Sequence, residues 1–244
     1  MLVAIHQPNL APPPAFWSKW RQSDAMILLD GVQYVRHGRA DHYLNRCLLA
    51  NGWCTIPVQR GQFNQKIRHV YAMQDWTPQR LYNRILSDYA DAPHRRWVAE
   101  LVVESVDMVR GPLYLMVNMP LFLEIGYLLG ITAPLYTQED LGVDDDDRDL
   151  RLVKLVKRIG GTEYLSGPKG PTYMRPDIWQ SADIPVQVSR YAWPQYPRGG
   201  QPWQIGLSIV DALAWLGADG TAELIRQGAT EEWMPSENAL SLPK

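Results

Sequence analysis

Cysteine is nearly absent: the 244 residues hold two, Cys47 and Cys54. A disulfide-stapled secreted scaffold carries more of them in a far shorter chain, so a reducing compartment is the simpler expectation. Their separation is also wrong for a paired zinc knuckle, and no Cys/His cluster completes four ligands, so no metal is expected. A charge excess is missing as well, since 24 basic residues face 26 acidic ones for a net charge of -2. That balance lacks the positive field that holds a phosphate backbone, and nucleic acid is not expected as the primary partner. A local basic loop is still enough for a tRNA end or a nucleotide. Uninterrupted apolar runs of membrane-spanning length are lacking too. The longest, Leu113 to Ile131, is broken by Asn118, Pro120 and Glu124 and has no basic flank. It reads as a buried core helix, kinked or restarted at Pro120, and no membrane partner is expected. The opening MLVAIHQPN has no basic n-region, no long apolar stretch and no small-residue cleavage site. The expectation is therefore a soluble, cytoplasmic protein.

Phenylalanine is also scarce, at three residues, against ten Trp, twelve Tyr and nineteen Pro. Rings that carry an OH or NH suit cavities in which the ring packs and its polar tip reaches a partner. The length sits near the upper end for one domain, and folding such a chain buries roughly 70–75% of its unfolded surface, so the core needs no staple.

Leu2 to Ile5 reads as a short apolar strand ending in His6, Gln7 and Pro8. A proline-rich loop leads to Pro14, which suits the first turn of a helix reaching about Gln22, with Phe16, Trp17 and Trp20 as its apolar stripe. Ala25 to Leu29 is a second apolar strand, ending in Asp30 and Gly31. Strand, helix, strand within about thirty residues is a βαβ unit, with two parallel strands whose carboxyl ends lie side by side.

Residues 31–46 are polar and basic, with Arg36, His37, Arg39, His42 and Arg46. Trp53 to Val58 alternates as a strand, and helical spacing marks Gln79 to Ala90 and Arg95 to Val109. The acid run Asp144 to Asp147 precedes a helix whose apolar face is Leu152, Val153, Val156 and Ile159, where acids offset the macrodipole without any metal. A brief strand at Tyr164 and Leu165 enters the turn Ser166 to Gly170, and Ile184 to Val188 alternates as a strand. Tyr191 to Gln204 is loop, Leu207 to Leu216 a helix ending at Gly217, and Thr221 to Gln227 a last short helix. The fold class expected is α/β: a Rossmann-like, mostly parallel sheet flanked by helices, one domain over residues 1–234 with a helical insertion, and a frayed tail from 235.

The chain resembles the WbqC-like protein family. The matching blocks are IHQPN at 5–9, LLDGVQY at 28–34, NR at 45–46, WCTIPVQ at 53–59, EYLSGPKG at 163–170, Tyr173, YAWPQYP at 191–197 and LSIVDALAWLG at 207–217. Leu10 stands where the family usually has an aromatic ring. The resemblance implies a role in surface-sugar or other small-molecule biosynthesis, with modification of an amino group by acyl or aminoacyl transfer. A weaker, architectural likeness links the opening strand, loop and helix to adenylate-forming nucleotidyltransferases of the HIGH type, although only His6 is present and the second histidine is absent.

Each candidate residue has a functional and a plain structural reading. His6 suits a general base or an oxyanion donor, or else caps its strand on a backbone carbonyl. Asp30, ending the neighbouring strand, is placed to orient His6, or else bonds its own turn amides. Gln7, Asn9, Gln33 and Asn45 are neutral amides that donate and accept, suited to positioning a polar ligand or to fixing loops. Arg36 and Arg46 could clamp an anion, or stay solvated. Ser166 and Lys169 form a weak anion-binding turn, without P-loop spacing. Tyr34, Tyr173, Tyr191, Trp193 and Tyr196 would wall the pocket. His37, Asp41 and His42 read as solvated loop residues. Ser208 and Asp211 match a short-acid capping box. Three functions remain open: an amide-forming transferase, acting on a small-molecule substrate with an activated acyl donor, aminoacyl-tRNA or another nucleotide-linked donor; an ATP-dependent adenylate-forming ligase; and a non-catalytic metabolite-binding protein.

Overall fold

A computed structural model describes residues 1–35, 44–106 and 111–234. Along the chain run β1 (Leu2–His6), α1 (Pro14–Arg21), β2 (Ala25–Leu28), β3 (Arg46–Leu49), β4 (Gly52–Thr55), α2 (Gln79–Asp88), α3 (Arg95–Glu104), α4 (Met119–Leu128) and β5 (Leu135–Thr137). There follow α5 (Gln138–Leu141), α6 (Arg148–Arg158), β6 (Glu163–Ser166), α7 (Pro176–Ser181), β7 (Val186–Tyr191), α8 (Ile209–Ile225) and β8 (Gly228–Glu232). Arg36, His37, Arg39, Asp41, His42, Met108 and the tail from 235 lie outside the described residues.

Six strands form one sheet in the order β5-β2-β1-β6-β7-β8. All neighbours are parallel except β8, which runs antiparallel to β7. Strand side chains alternate between faces. Ala4, Met26, Leu28 and Leu165 therefore join one core, with Phe16, Trp17 and Trp20 of α1, Phe122 of α4 and Leu213 of α8. Val3, Ile5, Ile27, Tyr164 and Val186 join a second, with Leu152, Val156 and Trp179 from α6 and α7. A parallel sheet buried on both faces needs such continuous apolar strands, which is why LVAI and AMIL are apolar throughout. This is the expected α/β class, with α2, α3 and α4 inserted between β4 and β5.

Several boundaries differ from expectation. The strand expected over Trp53 to Val58 stops at Thr55 and pairs in a hairpin with β3, a strand that the basic, polar composition around Arg46 concealed. The strand expected at Ile184 to Val188 lies at Val186–Tyr191. The apolar run after Leu113 begins with a π-helical turn, Tyr114–Asn118, and continues as α4 with Pro120 in its first turn. The two helices expected near the carboxyl end are two runs of α8 that meet at Gly217, whose φ of 69 and ψ of -171 no helix contains. No helix among the described residues is long and apolar enough to cross a membrane.

Candidate functional site

Chain order and sheet order together locate a crevice. From β1 the chain fills the sheet outward through β2 and β5, then returns to the other side of β1 with β6 and β7. Connections therefore diverge between β1 and β6, and the groove outside their carboxyl ends is where open α/β sheets collect ligands. The register pairs Ala4 with Leu165, so His6 and its following loop stand beside the loop that starts at Ser166.

His6 is partly buried. Its Nδ1 donates to the Gln7 carbonyl at 2.9 Å, which fixes the tautomer and leaves the Nε2 lone pair unprotonated. The ring meets Phe16 edge-on at 5.0 Å between centroids. Burial, then the positive charge of Lys19, hold the imidazole down to about 4, against the opposing pull of the Gln7 carbonyl. Lys19, on α1, is itself 4% exposed. Its Nζ donates to the Ile5 carbonyl at 2.8 Å, and burial pushes its amine down to about 7. Two nitrogen bases thus sit side by side, one neutral and one near half-neutral at pH 7.

Around the same turn, polar groups are under-satisfied. The Gln7 carbonyl also receives the Asn9 amide at 2.9 Å, which curls the loop back on β1. Asn118, in the π-helical turn, donates its side-chain amide to the Pro8 and Leu44 carbonyls. The side-chain oxygens of Asn9 and Asn118 are both buried and have no donor among the described residues. An unmet buried acceptor costs about 1–3 kcal/mol, and it stands ready for an N–H.

Asp30 forms a separate node. Its carboxylate is fully buried and accepts from the Tyr114 hydroxyl at 2.8 Å and the Glu139 amide at 3.2 Å. Burial raises its carboxyl above the usual range, which the Tyr114 bond and Arg68 only partly offset. The adjacent Gly31 amide donates to the Gln138 side chain at 3.2 Å. A Cβ at Gly31 would press on the ends of the Arg68 and Gln138 side chains, which would have to shift to admit it. The expected pairing of Asp30 with His6 is therefore not formed: the imidazole N–H is taken by Gln7 and both carboxylate oxygens by other donors. Adjacent strand ends bring the residues to one edge without setting where their side chains point.

The other expected residues divide by position. Ser166 is buried and donates to the Gly167 carbonyl at 3.1 Å, and Lys169 stands exposed in the same loop. Gln33, exposed, donates to Asn64 at 2.8 Å. The Tyr34 hydroxyl donates to Asn45 at 3.1 Å, whose amide reaches the Ile56 carbonyl at 2.8 Å. The Arg46 guanidinium lies over Trp53, 4.4 Å from the ring centre. These four hold the β3–β4 hairpin and its neighbours. The aromatic wall is dispersed. Tyr173 lies under the Arg148 guanidinium, Tyr191 donates to the Leu224 carbonyl at 3.3 Å beside Trp193, and Tyr196 donates to Asp211 at 2.7 Å.

Ser208 caps α8 by accepting from the Val210 amide. Asp211 does not close the capping box. It is fully buried and paired bidentately with Arg198, at 2.9 and 2.6 Å. A cavity of about 340 Å³ lies elsewhere, between β4 and α2. No group of three metal-ligating side chains is found among the described residues.

Lys19, Asn118, Tyr114 and Arg198 were not anticipated. Lys19 follows Phe16 by three residues, which puts it on the apolar stripe, yet a lysine in a last turn reads as a macrodipole partner. Asn118 had a signal: an amide inside an apolar run must find buried partners.

The sequence model of the WbqC-like protein family matches residues 7–223. The uncharacterized protein Rv1507c of Mycobacterium tuberculosis strain H37Rv is 27% identical over 228 residues, spanning 89% of this chain and 94% of that protein. No solved structure matches the chain.

Proposed function

The chain belongs to the WbqC-like protein family, and we propose that it transfers an acyl or aminoacyl group to the amino group of a small polar metabolite at the β1/β6 crevice. The observation that carries this reading is the pair of buried amide oxygens of Asn9 and Asn118, without a donor among the described residues, beside the Pro8 carbonyl and one turn from the neutral His6 ring. Acceptors without donors suit an amine, and a neutral imidazole suits its proton. Once the amine nitrogen bonds to the acyl carbon it becomes strongly acidic, so even a weakly basic Nε2 takes its proton, which then passes to the leaving group. Burial, with the charge of Lys19 second, holds His6 uncharged, and Lys19 is itself poised near neutral pH. Ser166 and Lys169 border the crevice, where the lysine would meet an anionic part of the donor.

The test uses the purified chain with a panel of primary amines and three donor classes: acyl thioester, aminoacyl-tRNA, and carboxylate with ATP. Amide product without nucleotide release supports transfer, whereas AMP or ADP formation coupled to product makes the protein a ligase. Binding of an amine with no product from any donor makes it a binding protein. His6→Asn should abolish product while melting temperature is kept.

A further inference from the structure

Cys47 and Cys54 occupy directly opposed positions in the β3–β4 ladder. The Ile56 amide bonds the Asn45 carbonyl at 2.7 Å one step beyond Arg46 and Thr55, so by alternation the two cysteines also form a hydrogen-bonded pair. Such pairs place their Cα atoms about 5.5 Å apart, within the roughly 4.4–6.8 Å that a disulfide spans. Both side chains point to the same buried face, at 6% and 8% exposure, and both are free thiols. Cys54 also lines the cavity of about 340 Å³, with Trp53, Trp76, Arg80 and Arg84, so a small solute that enters there reaches this residue.

We propose that Cys54 and Cys47 are a reversible oxidation site for a hydroperoxide: Cys54 attacks from the cavity wall and Cys47 resolves the product as an intrachain disulfide. The Cys54 thiolate attacks the O–O bond to give a sulfenic acid and release hydroxide, which becomes water on protonation. Cys47 then attacks the Cys54 sulfur, the S–S bond forms, and water leaves with the Cys47 proton. Hydrogen peroxide and two thiols yield one disulfide and two waters. The polarity of the pair follows from its surroundings. Cys54 lines the cavity, whereas contact with Cys54, then burial, lifts the Cys47 thiol well above its usual range. Arg84 favours the thiolate at both sulfurs, and Asp88 opposes it at Cys54. Asn45 and Arg46 share the hairpin with Cys47, so closing this bond would stiffen the strand that carries them. The site is independent of the amide-forming reading.

The full chain, freshly reduced, is exposed to hydrogen peroxide at neutral pH, denatured, alkylated and digested without reduction. The expected result is loss of both thiols, a single peptide pair joining Cys47 to Cys54, and recovery of both thiols with dithiothreitol. In Cys47→Ser, Cys54 should accumulate sulfenic acid that dimedone captures; in Cys54→Ser, Cys47 should stay unreacted. The proposal is overturned if both thiols survive peroxide that oxidises a free cysteine peptide, if the link forms only between chains, or if Cys47 is the sulfur that dimedone labels.

Discussion

Replacing Lys19 by methionine should make the protein more stable at neutral pH, the reverse of what most core substitutions do. Its amine is nearly inaccessible and, among the described residues, donates to the Ile5 carbonyl at 2.8 Å. Burial lowers it from an ordinary 10.5 to about 7. At about 1.4 kcal/mol per pH unit, that difference disfavours the folded state by roughly 5 kcal/mol where both states carry the proton. The penalty is complete below pH 7, shrinks as pH rises, and vanishes near 10.5, where both states are neutral. Methionine fills a similar volume without a charge but gives up the bond to Ile5, at a cost of about 1–3 kcal/mol. The net gain at pH 6 to 7 is about 2–4 kcal/mol, on the order of 10 °C in melting temperature for a chain of this size. Urea unfolding of both proteins from pH 6 to 10 measures it, and the difference curve should fall steadily above pH 7 and change sign near the alkaline end. A methionine variant that is less stable at pH 6, or a difference that ignores pH, refutes the assignment of a neutralised buried lysine.

His6 should set an acid limb of kcat/KM near pH 4, well below the ordinary imidazole value of 6.5, because protonation removes the Nε2 lone pair. In Lys19→Met that limb should move upward, since the lysine charge is one of its causes. Arg198→Met should cost about 3–5 kcal/mol in urea unfolding, because it leaves the fully buried Asp211 carboxylate without its cation; Arg198→Met with Asp211→Leu should recover most of the loss. Asn118→Ala should cost about 3 kcal/mol by stripping the Pro8 and Leu44 carbonyls of a donor.

What could be read from sequence followed the strength of the local signal. β1, α1 and β2 were legible because two apolar tetrads flank a proline-started helix, and α2, α6 and the first run of α8 because their apolar spacing is helical and Asp147 and Ser208 cap the last two. β8 was not, because GATEE is almost wholly exposed and borrows its structure from a ladder with β7. β5 has three residues and β3 begins with an arginine. The candidate site was half legible. Strand order and the IHQPN block point to the β1 edge, but which way Asp30 turns is decided by Tyr114, far along the chain, and the burial of Lys19 depends on the sheet it packs against.

The cost of folding is unevenly distributed, and its distribution bears on function. Near the β1 edge stand a histidine and a lysine held away from their charged forms and two amide oxygens without donors among the described residues. Ala11, in the same loop, has a φ of 35. Asn64 and Asp183 also have positive φ, but their side chains tolerate that region, whereas Ala11, like Trp193 with a φ of 55, is held there by its surroundings: Ser208 donates to the Ala11 carbonyl at 2.6 Å. The unmet acceptors and the Ala11 backbone each cost on the order of 1–3 kcal/mol and the buried Lys19 roughly 5 kcal/mol near neutral pH, and cheaper alternatives exist, methionine for Lys19 or glycine for Ala11. A fold selected for stability alone would spread such defects or remove them. Unsatisfied buried atoms also occur elsewhere, at Tyr89, Gln201 and Trp215 among others, but at residues 6–11, Lys19 and Asn118 they coincide with two nitrogen bases held neutral, and Lys19→Met tests whether these belong to a site: a gain in stability together with an upward move of the acid limb would separate the two demands at a single atom.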